Sequence, residues 1–97
     1  MAYIINYTDE AENDLISLKK QGRFDKLKKI KMAVKKLIND PRHPGLHTHK
    51  YVSLRHQETK EIFQSYVENN TPGAFRIFWH YGPGKKEITI FAITPHP

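Results

Sequence analysis

Cysteine is absent from the 97 residues, which excludes disulfides and thiolate metal sites. No apolar run approaches the roughly 20 residues that a membrane-spanning helix needs, so no membrane partner is expected. The N-terminus has no basic start, apolar stretch and small-residue cleavage site of the kind that marks a secretory signal. A cytoplasmic location is therefore expected. Also missing are a glycine-rich phosphate loop, a serine or cysteine nucleophile motif and paired catalytic carboxylates. Acidic residues are few, 10 against 16 Lys and Arg, leaving a net charge of +6.

What is present suits one folded domain spanning 1–97. Hydrophobic residues make up 38% and charged residues 27%, a balance that can close one core and has no material for a second. The basic surplus is localised. Between Arg23 and Ile38, seven basic residues (Arg23, Lys26, Lys28, Lys29, Lys31, Lys35, Lys36) meet one acid, Asp25, so this segment carries the whole net charge. Such a face attracts polyanions or an acidic protein; the plainer reading is a solvated lysine face.

The β-prone run Tyr3-Ile4-Ile5-Asn6-Tyr7 predicts a first strand. Thr8 offers an N-cap, with Asp9 and Glu10 suited to the helix dipole. Ala11, Leu15 and Leu18 share one helical face, Ile16 lies near its edge, and Gly22 is placed as the C′ residue. A second helix is expected from about Arg23 to Asn39, with Phe24, Leu27, Ile30, Val34, Leu37 and Ile38 in one stripe. Asp40-Pro41 stops it, because the residue before proline is pushed out of the helical region. A short link around Gly22 makes the helices an antiparallel pair.

After a loop over Pro41–Gly45, the histidine-rich segment from Leu46 to Leu54 predicts a short strand suited to a sheet edge, and His56–Lys60 a polar turn. Further strands are expected at Glu61–Glu68, Ala74–Tyr81 and Glu87–Thr94. The turns Asn69-Asn70-Thr71-Pro72-Gly73 and Gly82-Pro83-Gly84 make these three a meander. The order β-α-α-β-β-β-β predicts an α+β domain, with two antiparallel helices on one face of an antiparallel sheet.

Alternation divides the strands. Phe75, Ile77, Trp79 and Tyr81 should face the helices with Phe63, Ser65 and Val67, while Arg76, Phe78 and His80 share the open face with Ile62, Gln64, Tyr66 and Glu68. An open face with arginine, histidine, tyrosine and glutamine suits single-stranded RNA, since arginine pairs with phosphate and rings stack on bases. Cleaving RNA further needs a base for the 2′-hydroxyl, a cation for the phosphorane and an acid for the leaving oxygen. Arg76 can supply charge, and His80, His96, His49 and Tyr66 can move protons. The alternative is that Arg76 makes a structural ion pair and the histidines are ordinary surface residues. His43, His47 and His49, with His96, have some capacity for a metal. No carboxylate joins them at a recognised spacing, and neither a metal nor another cofactor is expected.

Taken with Met1-Ala2-Tyr3, two helices ending in Asn39-Asp40-Pro41-Arg42 and the segment Ile90-Phe91-Ala92-Ile93-Thr94-Pro95-His96, the strand Gly73-Ala74-Phe75-Arg76-Ile77-Phe78-Trp79 resembles the RelE/ParE toxin superfamily over essentially the whole chain. The resemblance implies a RelE-like fold and a toxin of a bacterial type II toxin–antitoxin pair, cutting mRNA at the ribosome without a metal. It also implies a cognate antitoxin as partner. Arg76 matches the family arginine at the scissile phosphate, and His96 resembles the near-terminal histidine of one branch. Gln64 and Tyr66 stand where cleaving members carry two basic residues, and the sequence stops at Pro97 before their further basic and tyrosine residues.

Three functions follow as expectations. The first is a ribosome-dependent mRNA endonuclease, with Arg76, His96, His80 and Tyr66 catalytic, and His49, Lys50, Gln64, Lys28, Lys29 and Lys36 binding RNA. The second is a ParE-like topoisomerase inhibitor. The third is a non-catalytic RNA- or protein-binding module on the same fold, which the replaced basic pair would suit.

Overall fold

The computed structural model describes residues 2–51 and 61–95. The chain runs β1 (Ile4–Tyr7), α1 (Asp9–Lys20), α2 (Phe24–Asn39), a 3-10 turn (Pro44–Leu46), β2 (His49–Lys50), β3 (Phe63–Tyr66), β4 (Phe75–Tyr81) and β5 (Glu87–Pro95). Thr8 caps α1 by accepting from the Ala11 N–H at 3.2 Å. Gly22, at φ +70°, makes the left-handed turn that ends α1 and starts the return along α2.

The five strands form one sheet in the order β1-β5-β4-β3-β2. Neighbours from β2 to β5 are antiparallel, but β1 lies parallel to β5, with Ile5 opposite Ile88. The sheet is thus antiparallel as expected, apart from this one parallel pair. Every successive element reverses the chain, and six reversals separate β1 from β5, so the two end up pointing the same way.

The core lies between the helices and one face of the sheet. Ala11, Leu18, Ile30, Ala33, Val34 and Leu37 meet Ile77, Trp79, Ile88, Ile90 and Ile93 there. The inward step from Ile90 to Ile93 breaks the period of two. A register shift opposite Phe78 and Trp79 makes Phe91 an extra residue in β5.

Two further expectations fail for local reasons. Phe24 is 62% exposed rather than part of the apolar stripe. Side chains tilt toward a helix N-terminus, so the first residue of α2 projects beyond the packed interface. The strand expected over Leu46–Leu54 starts only at His49, because Pro44 opens a 3-10 turn, Leu46 plunges into the core, and His47 turns left-handed at φ 48°; its expected end, Val52–Leu54, lies outside the described residues. The turn expected at His56–Lys60 lies outside the described residues.

Candidate functional site

The predicted division of faces holds along β3 and β4. Phe63 stacks on Trp79 on the helix side at 4.8 Å, while Gln64 pairs with Phe78, and Tyr66 with Arg76, on the other face. At the end of β3 the alternation breaks. The N–H groups of Val67 and Glu68 both point to the Phe75 carbonyl, at 3.1 and 3.4 Å, which is a β-bulge. The bulge turns Glu68 off the open face and under α2. There its carboxylate accepts from Lys26 at 2.7 Å, Lys29 at 3.1 Å and the Phe75 N–H at 3.3 Å. Burial alone would raise the Glu68 carboxyl; the two ammonium groups and the N–H outweigh it and hold the group below its ordinary range.

Arg76 is set by the same bulge. Its Nη1 donates to the Glu68 carbonyl at 2.9 Å and the Phe75 carbonyl at 3.3 Å, and its guanidinium carbon sits 3.7 Å from the centre of the Tyr66 ring. The expected display of Arg76 on an open surface is corrected, since only 7% of it is exposed. Its direct cross-strand partner is a ring that covers it. The expected ion pair is also absent: among the described residues no carboxylate lies within salt-bridge distance, and its buried Nε has no hydrogen-bond partner. Among the described residues the cation is therefore held by dipoles and a π face, with no counter-charge beside it.

Two histidines complete this group. His47 lies over Tyr66 with ring centres 5.1 Å apart, and His49 meets Tyr66 edge-on at 5.8 Å. The His49 Nδ1–H donates to the His47 carbonyl at 2.9 Å, so Nε2 is the ring nitrogen not engaged in that bond. His47 had no catalytic role in the sequence reading; the signal available was the His47-x-His49 spacing. Among the described residues no three His, Cys, Asp or Glu side chains are placed to hold a metal ion.

A hydrogen-bond relay holds these histidines in place. Trp79 Nε1 donates to Ser65 Oγ at 2.8 Å, Ser65 lies 2.7 Å from Thr48 Oγ1, and Thr48 donates to the Pro41 carbonyl at 2.9 Å. The indole and the carbonyl fix the direction, so Ser65 gives its proton to Thr48. Ser65→Ala is expected to cost about 2 kcal/mol, because a buried indole donor loses its partner. Chemical denaturation checks this, and an unchanged midpoint would show that the relay does not hold the segment.

The remaining predicted residues are dispersed. His80 lies four residues along β4 from Arg76, about 13 Å at the rise of a strand. Its Nδ1–H donates to the Tyr81 carbonyl and its ring stacks on Phe91, so His80 and Arg76 do not meet at one phosphate. Gln64 is buried between His49 and Phe78 in the register. Lys29 and Lys36 line a groove of about 390 Å³ with Tyr66 and Met32, although Lys29 is also tied to Glu68. Lys28 is exposed on the outer side of α2, and Lys50 pairs with Glu61 at the β2 edge. His96 lies outside the described residues.

No family model and no curated protein matches the sequence. Solved structures share its fold. They include the archaeal RelE–RelB complex from Pyrococcus horikoshii OT3, with TM-score 0.66, 15% identity and coverage of 98% of this chain and 96% of that one. The DinJ–YafQ toxin–antitoxin complex of E. coli matches at TM-score 0.69 and 15% identity over 99% and 94%. The YoeB dimer from Staphylococcus aureus matches at 0.66 and 17% over the full length of both chains. The fold is thus the RelE-like one, two helices on a five-stranded, mostly antiparallel sheet. Among the described residues no helix is long and apolar enough to cross a membrane.

Proposed function

We propose that this protein is the toxin of a type II toxin–antitoxin pair, acting in the cytoplasm as an mRNA endonuclease on the ribosome. The observation that carries the reading is the Arg76 guanidinium stacked on Tyr66 beside His47 and His49, with no carboxylate among the described residues within salt-bridge distance of it. The basic pair missing from β3, where Gln64 and Tyr66 stand, is replaced by histidines that reach the same ring from the β2 side.

In this reading an RNA phosphate lies over Tyr66 and draws the Arg76 guanidinium toward it. His49 Nε2 removes the 2′-hydroxyl proton, the 2′-oxygen attacks phosphorus, and Arg76 stabilises the charge on the phosphorane. The bond to the 5′-oxygen breaks as that oxygen takes a proton from His47 or the Tyr66 hydroxyl. The products are a 2′,3′-cyclic phosphate and a 5′-hydroxyl. His96 is retained as a further candidate acid, and each role is filled by a side chain without a metal. Lys28, Lys36 and Lys50 would hold ribosomal RNA, while Gln64, being buried, would support His49 from below rather than touch the message.

The partner proposed is a cognate antitoxin with an acidic or amphipathic segment, in line with the paired forms of RelE with RelB and YafQ with DinJ. A non-catalytic module is the second reading, favoured by the two main-chain bonds that occupy Arg76 Nη1. No observation favours topoisomerase inhibition. Induced expression followed by primer-extension mapping separates the three. The endonuclease reading expects growth arrest with new mRNA 5′ ends inside coding regions. Damaged DNA with intact mRNA would point to a topoisomerase, and neither effect would point to a binding module.

A further inference from the structure

A second cavity, of about 410 Å³, opens at the β2–β3 edge on the side of the sheet away from Arg76. The register places it there, since Lys50 is opposite Phe63, and Phe63 opposite Trp79, all on the helix side. Its walls are aromatic. Phe63 stacks on Trp79, and Tyr81 stands edge-on to both, with ring centres 5.6 and 5.0 Å away.

Arg42, His49 and Lys50 also line the cavity, and among the described residues no carboxylate does. Arg42 follows the end of α2 and lines the cavity together with Tyr81. Asp40 is engaged on the Arg42 backbone N–H at 3.0 Å. The ion pair between Lys50 and Glu61 is open to water at both ends, with side chains 65% and 62% exposed. Such a pair is weak and exchangeable, so Lys50 can turn to another anion.

We propose that this cavity binds a nucleotide, its base laid against Phe63 and Tyr81 and its phosphate held by Arg42 and Lys50. Flat rings take any base through stacking, and the planar guanidinium grips phosphate through two donors. An acidic peptide would use the cations alone and leave the rings without a flat partner. The nucleotide can be free or part of an RNA strand. A strand leaving Tyr66 over the two-residue β2 would pass His49, which touches both sites. The inference rests on the cavity and holds whether or not the RNA is cut.

Titrating the full-length ¹⁵N-labelled protein with AMP, and separately with a hexa-adenylate RNA, tests it by nuclear magnetic resonance. The chain's one tryptophan gives a single indole N–H signal, from the group bonded to Ser65. Saturable shifts are expected there and at the Lys50 and Tyr81 amides. Arg42→Ala combined with Lys50→Ala should weaken binding at least about tenfold. Both residues are exposed, so the melting temperature of this variant should match the wild type. Tighter binding of the hexanucleotide assigns the site to an RNA strand, and equal binding of AMP to a free nucleotide. No saturable shift with either probe at millimolar concentration overturns the proposal, as do shifts confined to the Tyr66–Arg76 face or unchanged affinity in the double variant. So does a response to hexaglutamate alone, which would assign the cavity to an acidic peptide. A protein that cleaves mRNA while its cavity ignores both probes would overturn this inference and leave the proposed function standing.

Discussion

Glu68→Ala is expected to destabilise the protein by about 3 kcal/mol, the cost of removing one partner from a buried ion pair. The carboxylate side chain is only 5% exposed, and Lys26, which it bonds twice, is 14% exposed. Removing it leaves a half-buried ammonium without its counter-charge and frees the Phe75 N–H. Lys29, with 54% of its side chain in water, adds little to that cost. The pH dependence follows from the sign of the shift. Because the folded group titrates below its ordinary value, its contribution is present above about pH 4.5 and is lost as pH falls through the folded value. Denaturant melts from pH 7 to pH 3 should therefore show a steeper acid loss for the wild type than for the variant. Parallel curves would mean that Glu68 is not held as a charged, buried group.

Arg76→Lys is expected to slow RNA cleavage about 10²- to 10³-fold, the usual cost of losing a preorganised donor to the developing charge. Lysine keeps the positive charge but not the planar stack on Tyr66 or the forked donors. Arg76→Ala is a poorer probe. The Glu68 carbonyl would lose its donor, costing about 2 kcal/mol and confusing an unfolded protein with an inactive one. The Lys variant should melt within a few degrees of the wild type, so its loss of rate reads chemistry.

The helices were legible because their signals are local: Thr8, Gly22 and Asp40-Pro41 each act on the next few residues. The division of faces in β3 and β4 was legible because a period of two is a geometric property of strands. What was not legible depends on distant partners. Two bulges, at Val67–Glu68 and at Phe91, break that period without a glycine or proline to announce them. The first moves Glu68 from the sheet surface to a lysine pair about 40 residues earlier in the chain. Arg76 read as an exposed cation because a sequence does not show that Tyr66 lies directly across from it. His47 joined the site only through a left-handed turn after Leu46 enters the core. The parallel pairing of β1 with β5 needed every reversal between them to be counted.

The central claim is that the Tyr66 ring, with Arg76 and the two β2-side histidines around it, is a centre for cutting RNA. The most direct measurement uses purified protein, ribosomes programmed with a defined message and mapping of the product ends, comparing wild type with a folded Arg76→Lys protein. The account predicts cleavage by the wild type, leaving a 2′,3′-cyclic phosphate and a 5′-hydroxyl, and a rate at least about 10²-fold lower in the variant. An intact message with the wild type, or equal rates for the two proteins, would contradict it.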